Sequence, residues 1–97
     1  MLDDPHRVAR LRRLAENVRA IRDGVDRVET VADSPDGRIR ARVGGRGDLI
    51  GLEVDDRVFR QPDSARLAAE IAATVRTAQQ AADREIARIC TETFPSH

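Results

Sequence analysis

Apolar residues Leu11, Leu14, Val18, Ile21, Val25 and Val28 recur at spacings of three and four, which places them on one face of a helix. The spacing predicts a helix over about 5–27. Asp4 can cap its free amides, and Pro5 fits the first helical position, where a missing N–H costs nothing. Gly24 offers an earlier stop, but the seam continues past it, so the helix is expected to run through. A heptad-like seam of this kind calls for another helix against it.

The pattern then changes period. Residues 29–33 are rich in β-branched side chains, and Ser34-Pro35-Asp36-Gly37 combines a preset turn residue with one that accepts positive φ. Strand two, residues 38–43, alternates strictly, with Ile39, Ala41 and Val43 on one face and Arg38, Arg40 and Arg42 on the other. Gly44-Gly45-Arg46-Gly47 supplies a second tight turn. Strand three, residues 48–54, is expected to place Ile50, Leu52 and Val54 on a single face. Three strands joined by short turns, over about 29–54, make an antiparallel meander.

An acidic loop follows, and Pro62-Asp63-Ser64 offers a second helix start. Leu67, Ile71, Val75, Ala78, Ala82, Ile86 and Ile89 then trace a stripe over a helix of about 63–92. Such a helix is roughly 42 Å long, against a radius of gyration near 13 Å for a compact chain of this length. A three-stranded sheet cannot cover it. Either it projects or its stripe packs on a second copy, and its many alanines permit close approach. The predicted fold is α+β, α-β-β-β-α, as a single domain over 1–97 that dimerises. Leu11, Leu14, Val18, Ile21, Val25, Leu67, Ile71 and Val75 are the candidate seam and dimer positions.

Composition narrows the function. The 97 residues carry 17 basic and 17 acidic side chains, and every basic one is arginine. Arginine stays charged and forks onto phosphates or carboxylates in a way lysine cannot. With a net charge of zero, a nucleic-acid role must rest on segregation of charge. Segregation is present: residues 5–22 hold six arginines against Glu16 alone, and residues 37–47 hold Arg38, Arg40, Arg42 and Arg46 against no acid. No apolar run approaches the roughly 20 residues that span a bilayer, and residues 1–5 lack a signal-peptide pattern, so a cytoplasmic address is expected. The single cysteine, Cys90, suits a reducing compartment.

Catalytic chemistry finds few reagents. His6 and His97 sit near the termini, Cys90 has no evident base, and no serine occupies a nucleophile-elbow context. The glycine-rich turn leads into a strand and lacks the Lys-Ser/Thr of a phosphate loop. Glu53, Asp55 and Asp56 lack the alternation of a calcium loop. Arg46-Gly47-Asp48 is an adhesion tripeptide by chance, explained by a hairpin turn. Only Phe59 and Phe94 are aromatic, which disfavours stacking on single-stranded nucleic acid. No enzyme, cofactor or metal site is expected.

The element order, together with the run from Ser34 to Val54, resembles the YbaB/EbfC family of bacterial nucleoid-associated proteins. The resemblance is carried by Asp36-Gly37-Arg38-Ile39, by Gly45-Arg46-Gly47-Asp48-Leu49, and by Leu67-Ala68-Ala69-Glu70-Ile71 with Ala78. It covers about residues 7–89. It implies a homodimer with projecting helices that binds duplex DNA with little or no sequence preference, associated with the nucleoid. Arginine-rich, lysine-poor members also resemble proteins encoded beside type VII secretion systems, which implies the alternative of a protein–protein adaptor or chaperone with a secretion-system partner. In the nucleoid-associated members the first helix is commonly lysine-rich; here arginine replaces it. If DNA is the ligand, Arg12, Arg13 and Arg19 on the solvent side of the seam, the Arg38-Arg40-Arg42 row, and Arg46 are the candidate phosphate contacts.

Overall fold

The computed structural model describes residues 4–60 and 63–94. Met1, Pro62 of the second helix start, and His97 lie outside the described residues. The order is α1 (Pro5–Arg27), β1 (Glu29–Asp33), β2 (Ile39–Gly44), β3 (Leu49–Val54), a short 3-10 helix (Asp56–Arg60) and α2 (Ser64–Thr93). The α+β reading, the two long helices and the meander are all present.

Helix α1 starts as its first residues dictate: Asp4 Oδ1 accepts the His6 amide at 3.0 Å, with Pro5 at the first position. Gly24 does not end it. The helix continues to Arg27, and Val28 turns extended at φ −69°, ψ 128° to feed β1 directly. Gly24 serves a contact instead, since a Cβ there would stand 3.1 Å from Ile89 Cγ2 on α2.

The three strands form one antiparallel sheet in the order β1-β2-β3. In the first turn Gly37 adopts φ +73°, and its amide donates to the Ser34 carbonyl at 2.9 Å. The buried Ser34 hydroxyl donates to Asp36 Oδ1 at 2.7 Å and accepts the Ile39 amide at 3.0 Å, so the turn carries its own polar satisfaction. In the second turn the Gly44 amide donates to the Asp48 carbonyl at 2.9 Å, and the amide of Gly47, at φ +82°, donates to the Gly44 carbonyl at 3.0 Å.

One register feature departs from the expected alternation. Ala41 pairs with Leu52 and Arg42 with Gly51, but Val43 pairs with Leu49, so Ile50 is the extra residue of a bulge. Leu49, not Ile50, therefore joins Leu52 and Val54 on the face that carries Val43, Ala41 and Ile39. A period-two count cannot detect the inserted residue, because it assumes an unbroken ladder.

Helix α2 lies across β1 and β2 on that face. Its interior residues Thr74, Ala78 and Ala82 are small, which brings the helix close enough for the Thr30 hydroxyl to donate to the Ala78 carbonyl at 2.7 Å. Ala78 and Ala82 pack with Val28, Ala32, Ala41 and Val43, flanked by Val75, Ile86 and Ile89. Among the described residues only Ile39 and Val43 are large side chains buried completely, so the core is thin. Thr74 was not a predicted stripe residue; it is buried because its hydroxyl donates to the Glu70 carbonyl at 2.8 Å within the helix. The acidic loop contains the short 3-10 helix, which buries Val58.

The two helices meet where Gly24 faces Ile89, and from there α1 continues as an arm well past the end of α2. The radius of gyration is 19.9 Å and the extents are 70 × 24 × 18 Å, well beyond the roughly 13 Å radius of a compact chain. Residues 5–16 of α1 are exposed throughout, whereas α2 keeps buried or half-buried residues from Leu67 to Thr93, so the helix that projects is α1.

Candidate nucleic-acid interface

The arginines fall into two groups with different electrostatic states. On the outer face of the sheet, Arg40 Nε donates to Asp33 Oδ1 at 2.8 Å, Arg42 Nη1 meets Glu29 Oε1 at 3.4 Å, and Arg38 Nε lies 3.9 Å from Asp36. Cross-strand pairing explains this ladder: Asp33 stands opposite Arg40, and Glu29 lies on the adjoining strand beside Arg42. Arg46 Nη1, on the second turn, sits 2.6 Å from Asp26 Oδ1 at the root of α1. The row read as unopposed along the chain is opposed in space.

The carboxylates register this pairing. Asp33 is held below its ordinary value, chiefly by the hydrogen bond from Arg40. Asp36 is lowered by the Ser34 hydroxyl and then by the Arg38 amide. Arg40 is raised in turn, chiefly by Asp33. Both carboxylates have folded values below their unfolded ones. Their contribution to stability is present above the unfolded carboxylate range near pH 4 and is lost as pH falls through the folded value. Carboxyl NMR titration is expected to give Asp33 and Asp36 midpoints below that range. A midpoint at or above it for Asp33 would show that Arg40 is not held.

The second group stands on α1. Arg12, Arg13 and Arg19 are exposed, and none forms an ion pair with a described residue. Arg22 shares this state. It belonged to the basic run of residues 5–22, and the signal for it was charge counting alone. On the solvent side of α2, Arg66 pairs with Glu70 at 3.3 Å and Arg88 with Glu85 and Glu92, whereas Arg76 and Arg84 make no ion pair with a described residue. Unpaired positive charge is thus concentrated on the arm, and the sheet is close to neutral.

The seam positions divide as well. Ile21 and Val25 are half-buried against the rest of the chain, as are Leu67, Ile71 and Val75 on α2. Leu11, Leu14 and Val18 remain about half exposed, together with Val8. Among the described residues, no three His, Cys, Asp or Glu side chains come together as a metal site. No described helix is long and apolar enough to cross a membrane.

A thin-cored α+β scaffold with a projecting arginine-bearing arm belongs to the class of small proteins that act through their surface. The chain is a member of the YbaB/EbfC DNA-binding family, whose family model matches residues 6–94. The fold is similar to the crystal structure of the uncharacterized protein HP0035 from Helicobacter pylori. That likeness has a TM-score of 0.75 at 13% identity and covers 95% of this chain and 97% of the other. No curated protein matches the chain. Family membership makes DNA the partner class.

Proposed function

We propose that the protein is a homodimer that binds duplex DNA at the nucleoid with little sequence preference, through phosphate contacts made by the arginines of α1. The observation that carries this reading is the division of charge: Arg12, Arg13 and Arg19 are exposed without an ion pair to a described residue, and Arg38, Arg40, Arg42 and Arg46 each face a carboxylate. Arg12 and Arg19 are two turns apart on one face, about 10 Å along the axis, which is close to the roughly 12 Å width of the major groove. Guanidiniums so spaced reach phosphates on both sides of a groove without reading base edges. The exposed stripe of α1 supports the dimer, because a monomer in water gains nothing by holding Leu11, Leu14 and Val18 half exposed. The adaptor reading draws on the same stripe and predicts no affinity for DNA.

Mobility shift on random-sequence duplex tests the proposal. Phosphate contacts release counterions, so three arginines from each of two copies should lower affinity by about a thousandfold between 50 and 200 mM salt. Absence of any shift at the lower salt would overturn DNA binding and leave the adaptor reading standing.

A further inference from the structure

The chain carries two uncovered apolar surfaces of different kinds. One is convex: Val8, Leu11, Leu14 and Val18 of α1, exposed at 42, 58, 50 and 48%. The other is a bare strip on the core-facing side of β3. Leu49 and Leu52 pair across β2 with Val43 and Ala41, which are fully buried, yet they are exposed at 49 and 39%. The cause is geometric. Strands lie about 4.8 Å apart and a helix is about 10 Å wide, so α2 covers two strands and leaves the third open. The Ile50 bulge enlarges the strip, because it turns Leu49 onto this face beside Leu52.

We infer that these two surfaces are each other's partners in the dimer: α1 of one copy lies along β3 of the other, and the contact is repeated by the two-fold axis. The inference rests on the homodimer proposed above and specifies how it is built. These six side chains near half exposure leave on the order of 500 Å² of apolar surface per copy, so reciprocal burial reaches the order of 1,000 Å² that a specific interface requires. Charge is complementary too. Helix α1 carries seven arginines against three acids, whereas the ends of β3 carry Asp48, Asp55 and Asp56 against Arg57 alone, Glu53 standing on the outer face opposite Arg40. Arg22, one turn beyond Val18, continues the docking face toward those acids. Arg12 and Arg19 lie about 100° around the helix from Leu11 and Val18, so they flank the docked stripe, where their long side chains reach out to solvent, and Arg13 lies on the opposite side of the helix.

Pairing of unlike surfaces has a distinctive consequence in a symmetric dimer: residue 14 of one copy approaches residue 52 of its mate, and like residues stay apart. The test mixes two chains, both with Cys90→Ser, one with Leu14→Cys and the other with Leu52→Cys, and oxidises them after subunit exchange. A mixed disulfide is expected as the main product, with neither single variant cross-linking to itself, because disulfides demand Cβ atoms about 4 Å apart. Circular dichroism of each variant checks that both helices are retained. Self-linked 14–14 or 52–52 products would overturn the inference, as would a dimer that gives no link. Sedimentation of the unsubstituted chain separates the two levels: a monomer removes the homodimer itself, whereas a dimer without the mixed link removes only this contact.

Discussion

Gly45→Ala is expected to cost about 3 kcal/mol of folding stability and to displace the arm, because the new methyl has no room. Its Cβ would collide with the Val25 carbonyl oxygen and stand 2.9 Å from Val25 Cγ1. The oxygen is backbone at the end of α1 and cannot rotate away, so the helix or the turn must move. This turn is anchored on two further sides: Arg46 reaches Asp26, and the Gln79 amide of α2 donates to the Gly47 carbonyl at 3.0 Å. The three contacts together fix the angle at which α1 leaves the sheet. Chemical denaturation reads the stability loss, and small-angle scattering reads the change in radius. Gly37→Ala is the control. Its Cβ meets nothing within 4 Å, so only the positive φ is penalised, at about 1 kcal/mol. Equal losses at the two sites would show that the close approach of Gly45 to Val25 does not constrain α1.

Arg12→Ala with Arg19→Ala is expected to abolish most of the DNA affinity and to flatten its salt dependence. Each phosphate contact contributes about 0.9 to the slope of log affinity against log salt, so two losses per copy in a dimer remove about 3.6. Arg40→Ala with Arg42→Ala removes the same formal charge from each copy, yet is expected to leave the slope nearly intact. Those guanidiniums are committed to Asp33 and Glu29, and a phosphate could recruit them only by displacing a carboxylate. Mobility shifts at several salt concentrations decide between the two rows. A larger loss from the sheet pair than from the arm pair would move the interface to the sheet.

The contrast between these rows marks where a linear reading stops. Residues 37–47 contain four arginines and no acid, and along the chain they match α1 in net charge over half its length. Antiparallel pairing brings Asp33 and Glu29 from the neighbouring strand, and the arm root brings Asp26 to Arg46. Charge that is segregated in sequence is mixed in space at the sheet, because a hairpin superposes the segments on either side of its turn. On α1 the acids are few enough that Arg12, Arg13 and Arg19 stay unpaired with any described residue.

The sequence determined the elements by itself. Asp4 and Pro5 set the start of α1, the seam past Gly24 set its length, Gly37 and Gly47 set the turns, and the strict alternation of residues 38–43 set the buried face. These are local effects of backbone geometry and period, and a linear pattern records them. Tertiary structure decided the rest. It placed the Ile50 bulge, which turned Leu49 toward the core side; it gave Gly45 its crowded contact with Val25; it neutralised the sheet arginines; and it left Leu49, Leu52 and the α1 stripe uncovered. The physical reason is common to all four. Each depends on which residue from a distant part of the chain arrives alongside, and one helix can cover only two of three strands.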